Sequence, residues 1–121
     1  MIHIDYQDKR PIYEQVVNKY KQLIVKGVLS ADDKMPSVRS LAIDLTINPN
    51  TIQKAYQELE RQGFIYTIQG RGNFVSESSK WIDNTFDVAR ERFRSVTEEL
   101  IELGFEREEI VKLVDECFEL C

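Results

Sequence analysis

The amino-acid sequence predicts an α+β chain, with three helices and a β-hairpin in residues 1–76 and a two-helix tail over residues 77–121. Three observations carry that fold class. Apolar residues recur at three- and four-residue steps in successive stretches before Gly63, which is the helical period. The period then changes: Phe64-Ile65-Tyr66-Thr67-Ile68 and Asn73-Phe74-Val75 flank Gln69-Gly70-Arg71-Gly72, two β-prone runs around turn chemistry. Beyond the wholly polar Ser76-Glu77-Ser78-Ser79-Lys80, which reads as a linker, a heptad-like apolar seam begins.

Ten residues lead in, and Pro11 opens the first helix, since proline has no N–H to leave unpaired at a helix start. Tyr13, Val16, Val17, Tyr20, Leu23 and Ile24 form its apolar stripe, and Gly27 stops it. Ser37 can cap a second helix whose inward residues are Val38, Leu41, Ala42 and Leu45. Thr46-Ile47-Asn48-Pro49 interrupts the pattern. Asn48 as N-cap and Pro49 as first residue then start a third helix, with Ile52, Ala55, Tyr56 and Leu59 inward and Gly63 at its end. Two helices joined by so short a break match a helix-turn-helix, and a hairpin directly after the second of them makes it a winged helix-turn-helix.

In the tail, Ile82, Phe86, Ala89, Phe93, Val96, Leu100 and Leu103 step by 4, 3, 4, 3, 4 and 3, until Gly104 breaks the helix. A last short helix carries Ile110, Val114, Cys117 and Cys121 on one stripe, with Val111 and Phe118 beside it. One short helix cannot cover such a seam, and a second copy can. Phe86, Phe93, Val96, Leu100, Leu103, Val114 and Phe118 are therefore the candidate dimerisation residues, and the tail is expected to make a homodimer. Trp81, at the junction, reads as a packing residue.

Charge and composition narrow the function. The chain has 121 residues, 42% hydrophobic and 31% charged, with a net charge of −5. Residues 1–75 hold 10 Lys+Arg against 8 Asp+Glu, whereas residues 76–121 hold 6 against 13. The acid is concentrated in the tail, and DNA binding needs a local basic face rather than a basic protein. No run approaches the roughly 18 apolar residues of a spanning helix, and the opening Met1-Ile-His-Ile-Asp-Tyr does not read as a secretory signal, so no membrane partner and a cytoplasmic location are expected. Cys117 and Cys121 stand four apart, not in Cys-x-x-Cys spacing, and His3 is the only histidine. With no phosphate loop either, no metal, cofactor or enzymatic activity is expected.

The stretch from Gly27 through Met35-Pro36-Ser37-Val38-Arg39 to Ala42, followed by Asn48-Pro-Asn-Thr-Ile-Gln-Lys-Ala-Tyr-Gln-Glu-Leu-Glu-Arg-Gln-Gly and Gly70-Arg-Gly-Asn-Phe-Val, resembles the GntR family of bacterial regulators over about residues 10–75. Asn48-Pro49-Asn50-Thr51 and the short tail look like its YtrA subfamily. The resemblance implies a winged-helix domain on operator DNA, a two-helix dimerisation tail and, in many members, repression of a transporter operon. Ala31-Asp32-Asp33 stands where a Pro-Gly turn is common, and Pro49 where other branches often carry arginine, so base contacts from those branches do not transfer to it.

In this architecture the third helix enters the major groove N-terminus first. Asn50, Thr51, Gln53 and Lys54 occupy that start, with side chains suited to base edges or backbone. Arg39 matches the family's Pro-Ser-x-Arg motif and is the candidate for a strong contact. Ser37 and Thr51 are candidate phosphate ligands, and Tyr56 is expected to reach the backbone through its hydroxyl. Arg71 at the wing tip, freed by Gly70 and Gly72, suits a narrow minor groove. The reading is a dimeric repressor on double-stranded operator DNA. The alternative is a winged-helix adaptor that binds a protein partner without operator affinity. The sequence names no small-molecule effector, and forty-odd tail residues can hardly enclose a metabolite pocket.

Overall fold

The protein is described by a computed structural model covering residues 2–120; Cys121, the last position of the expected terminal stripe, lies outside the described residues. The chain forms two compact units, one ending at Asp83 and the other beginning at Asn84.

In the first unit, α1 spans Ile12–Val25. Pro11 sits one position earlier than expected, as the N-cap, because its ψ of 149° is extended rather than helical. Val16, Val17, Tyr20 and Ile24 are buried, as the stripe requires, but so is Gln15. Its carboxamide holds the lead-in segment. The Asp5 N–H donates to Gln15 Oε1 at 2.9 Å, and Gln15 Nε2 donates to the Asp5 carbonyl at 2.9 Å and the Arg10 carbonyl at 3.3 Å. A buried amide with its hydrogen bonds satisfied is tolerated where an orphaned one is not. The lead-in is thereby part of the domain, with Ile2 buried in the core.

Helix α2 spans Val38–Leu45, and the Ser37 hydroxyl accepts the Ser40 N–H at 3.0 Å. The turn passes through Thr46 in a left-handed conformation (φ 56°). Helix α3 spans Pro49–Arg61, with Asn48 Oδ1 accepting the Asn50 N–H at 2.8 Å. Both starts follow from local capping chemistry. Strands β1 (Ile65–Ile68) and β2 (Gly72–Val75) pair antiparallel, Ile65 opposite Val75 and Ile68 opposite Gly72. The sequence reading missed a third edge. Lys34 bridges Phe74, the Asp32 and Met35 N–H groups donate to the Val75 and Asn73 carbonyls at 2.7 and 2.8 Å, and Val75 N–H donates to the Asp33 carbonyl at 2.8 Å. The wing is thus tied to the segment preceding α2.

Residues 76–80, expected to be a linker, belong to the first unit. Ser76 is buried and its N–H donates to the Phe64 carbonyl at 2.9 Å. A 3₁₀ turn over Ser78–Lys80 delivers Trp81 onto Phe64, ring centroids 5.0 Å apart and nearly parallel. This is why the unit runs to Asp83 rather than ending at Ser76: a buried, stacked aromatic outweighs the polar composition before it. Gly63 (φ 87°) makes the return close, since a Cβ there would collide with the Lys80 carbonyl oxygen.

The second unit contains most of α4 (Ile82–Glu102) and all of α5 (Arg107–Leu120), joined through Gly104 at φ 94°. Glu109 Oε1 accepts the Glu106 N–H at 3.0 Å, half of a capping box at the start of α5. Neither helix has a buried residue: Phe93 is 60% exposed, Val96 55%, Leu103 69% and Phe118 76%. Among the described residues no helix is long and apolar enough to cross a membrane.

Two outcomes test this packing. Gly63→Ala lowers stability in chemical denaturation by about 2–4 kcal/mol, from positive-φ strain and the collision together. Gly27→Ala, with φ 78° and open space around it, loses only about 1–2 kcal/mol; equal losses would show that the Lys80 carbonyl does not approach Gly63. Burial raises the hydroxyl pKa values of Tyr20 and Tyr56 above the usual 10.0, so their stabilising effect is complete below pH 10 and fades as the pH rises beyond it. In an alkaline absorbance titration, two of the five tyrosines should ionise only as the fold is lost; reversible ionisation of all five in the folded chain would contradict the buried pair.

Candidate nucleic-acid interface

The residue patterns that build the core also decide which polar groups stay outside. On α3, Ile52, Ala55 and Leu59 are fully buried and Tyr56 is 2% exposed, so the opposite face is left to solvent. Asn50, Gln53 and Lys54 are exposed there and Thr51 is half-buried. Asn50 and Thr51 lie in the first turn, where helix N–H groups and the dipole favour anions. Ser37 and Arg39 are exposed at the start of α2. The Ser37 oxygen is committed as a cap acceptor, but its hydroxyl proton remains available to donate.

Arg71 is exposed at the tip of the wing. Its N–H donates to the Ile68 carbonyl at 2.9 Å, and the flanking Gly70 and Gly72 have φ of 82° and 117°, a backbone that side-chain-bearing residues avoid. Gly72 has a second role. A Cβ on it would lie 3.3 Å from Lys34 Cε, so its bareness lets the Lys34 stem pass along the wing.

Tyr56 is a correction. It was expected to reach DNA, but its ring packs edge-on against Tyr20 at 6.3 Å and its hydroxyl donates to the Pro36 carbonyl at 2.7 Å. Burial, followed by the nearby Tyr20, raises its pKa far above the ordinary phenol value. The residue fastens the segment before α2 to the middle of α3 and holds the two candidate contact surfaces in register. Lys54 is also committed within the protein, its Nζ 3.9 Å from the centroid of the Tyr13 ring in a cation–π contact.

Two exposed residues were missed. Gln57 continues the Asn50–Gln53 stripe one turn further, a position that i, i+3, i+7 spacing alone could have picked out. Lys34 joins the wing only through the pairing of residues 32–35 with β2, a long-range contact without a local signal. Among the described residues no cluster of His, Cys, Asp and Glu could hold a metal.

Comparison with known proteins places this geometry. Residues 12–75 match the gntR family of bacterial regulatory proteins. Over 118 residues the chain is 39% identical to the HTH-type transcriptional repressor YtrA of Bacillus subtilis (strain 168), covering 96% of this chain and 91% of that protein. A transcriptional antiterminator of Listeria monocytogenes EGD-e, solved by crystallography, is similar with a TM-score of 0.77 at 41% identity, over 96% of this chain and 88% of that one. The AraR DNA-binding domain in complex with operator ORE1 is similar with a TM-score of 0.54 at 32% identity, over 60% of this chain and 89% of that one. The chain therefore belongs to the gntR family of bacterial regulatory proteins, which are DNA-binding transcription regulators and not enzymes.

Proposed function

We propose that this chain is a dimeric repressor that binds a two-fold-related operator in double-stranded DNA in the cytoplasm. The observation that carries the reading is the convergence of three exposed polar elements on one small domain: Ser37 and Arg39 at the start of α2, the outer face of α3, and Arg71 at the tip of the wing. In this reading Asn50, Thr51 and Gln53 enter the major groove with α3. Ser37 and Thr51 reach phosphates, and Arg71, with Gly72 allowing close approach, enters the adjacent minor groove. The similarity to a named repressor over nearly the whole chain supports the sign of regulation.

The division of labour is a DNA-binding head and a dimerising tail. Support for the dimer comes from the apolar residues that α4 and α5 leave exposed: Phe86, Phe93, Val96, Leu103 and Phe118, with Leu100 and Val114 half-buried. Surfaces of this kind are covered by partners. Two copies would present two α3 helices to half-sites about 34 Å apart. The extension to its own operon, encoding a transporter, rests on the family resemblance.

Footprinting of the DNA upstream of the gene tests the reading. A two-fold-related protected site is expected, weakened at least about tenfold by either Arg39→Ala or Arg71→Ala, since a contact to a charged group contributes on the order of 1.5–3 kcal/mol. Unchanged affinity in both variants would remove these residues from the interface. Phe93→Glu with Val96→Glu should give the mass of one chain in sedimentation while the thermal transition of the head persists; a dimer surviving both charges would move the interface elsewhere. Counterion release should cut affinity by about a thousandfold between roughly 50 and 200 mM salt, and a salt-independent constant would contradict binding through phosphates.

A further inference from the structure

On the outer stripe of α3, what each polar head is free to do differs sharply from residue to residue. The exposed positions include Asn50, Gln53, Lys54, Gln57 and Arg61. Both cations are engaged within the protein. Lys54 lies over the Tyr13 ring at 3.9 Å, and Arg61 forms a forked pair with Glu58, its Nε donating to Oε2 at 2.8 Å. Gln62 Nε2 also donates to the Glu58 carboxylate, at 2.8 Å, and the arginine with this second donor lowers the carboxyl to about 2, so the pair stays ionised at neutral pH. Among the described residues, the carboxamides of Asn50, Gln53 and Gln57 make no hydrogen bond to another part of the protein. The amides at the two ends are taken up, Asn48 as the N-cap and Gln62 by Glu58.

A carboxamide presents one donor and one acceptor in a plane. That is the complement of adenine, which offers the N6 amino group and N7 in the major groove; guanine offers two acceptors, O6 and N7, and calls for the two donors of an arginine or lysine. Asn50, Gln53 and Gln57 follow i, i+3, i+7 spacing and so share one helix face over two turns. The acidic Glu58 and Glu60 stand at the far end of the same helix, which favours an approach with the N-terminal two turns foremost.

We infer that α3 is an adenine reader: the operator half-site carries A·T pairs at the positions this helix meets, recognised by the unbonded carboxamides of Asn50, Gln53 and Gln57, while guanine contacts fall to arginines outside α3. The inference rests on the DNA-binding reading above and adds to it the chemistry of the sequence bound.

The test is selection of duplexes from a randomised pool with the full chain, followed by titration of the selected site carrying 7-deazaadenine, which lacks N7, at one adenine at a time. Two or three adenines per half-site should each be sensitive, with affinity falling about five- to a hundredfold. At each of them one of Asn50→Ala, Gln53→Ala or Gln57→Ala should bind the natural and the 7-deaza duplex equally. These three residues are exposed, and unchanged thermal unfolding would confirm that a loss is not one of folding. Half-sites in which the α3 positions are guanine, or sites indifferent to 7-deazaadenine throughout, would overturn the adenine inference and leave DNA binding standing. Recovery of no sequence at all would overturn both.

Discussion

The inner face of α3, made of Ile52, Ala55, Tyr56 and Leu59, is packed almost entirely out of water against the rest of the head, and the outer face can serve as a rigid surface only because of it. Side chains the size of Ile52 and Leu59 buried in this way each contribute roughly 1.5–3 kcal/mol. The Tyr56 hydroxyl adds direction to that burial. Its bond to the Pro36 carbonyl sets the start of α2 against the middle of α3, and losing it would cost about 0.5–1.5 kcal/mol, the net contribution of a typical hydrogen bond. A helix-turn-helix held by apolar packing alone could slide. One with a hydrogen bond across the packed face has a fixed register.

From that register the other parts take their places. The segment of residues 32–35 leaves the β2 edge and leads directly through Pro36 and Ser37 into α2. Movement of the wing is thus coupled through the backbone to the start of α2. The stacking of Trp81 on Phe64 closes the domain on its other side. Charge follows the same division: the acid of the sequence is concentrated after residue 75, while Arg39, Arg71 and Lys34 stand at α2, the wing and the wing's third edge. An overall charge of −5 is therefore compatible with a polyanionic partner, because the field near the head is set by the groups close to it.

Much of the fold was legible because the signals are local. Ser37, Asn48 and Pro49 announce helix starts by capping chemistry that needs only three or four neighbouring residues, and the structure makes those bonds. The glycine-bounded turn around Arg71 is local in the same way. What could not be read involves distant partners. The polar run 76–80 looks like a linker until Trp81 is seen against Phe64, and Gln15 looks like a surface residue until the backbone of Asp5 and Arg10 is brought to it. Tyr56 was misread because an amphipathic side chain on the inward stripe fits both a core with a hydroxyl partner and a rim position, and only the placement of Pro36 decides between them. The commitment of Lys54 to Tyr13 is a side-chain pairing between helices that periodicity does not encode.

The most direct test of the account is the backbone amide spectrum of the full chain titrated with its footprinted duplex. The account predicts that the largest shifts fall at Ser37–Arg39, Asn50–Gln53 and Gly70–Gly72, with α5 unmoved. Shifts centred on α5, with the α3 start and the wing unperturbed, would contradict it.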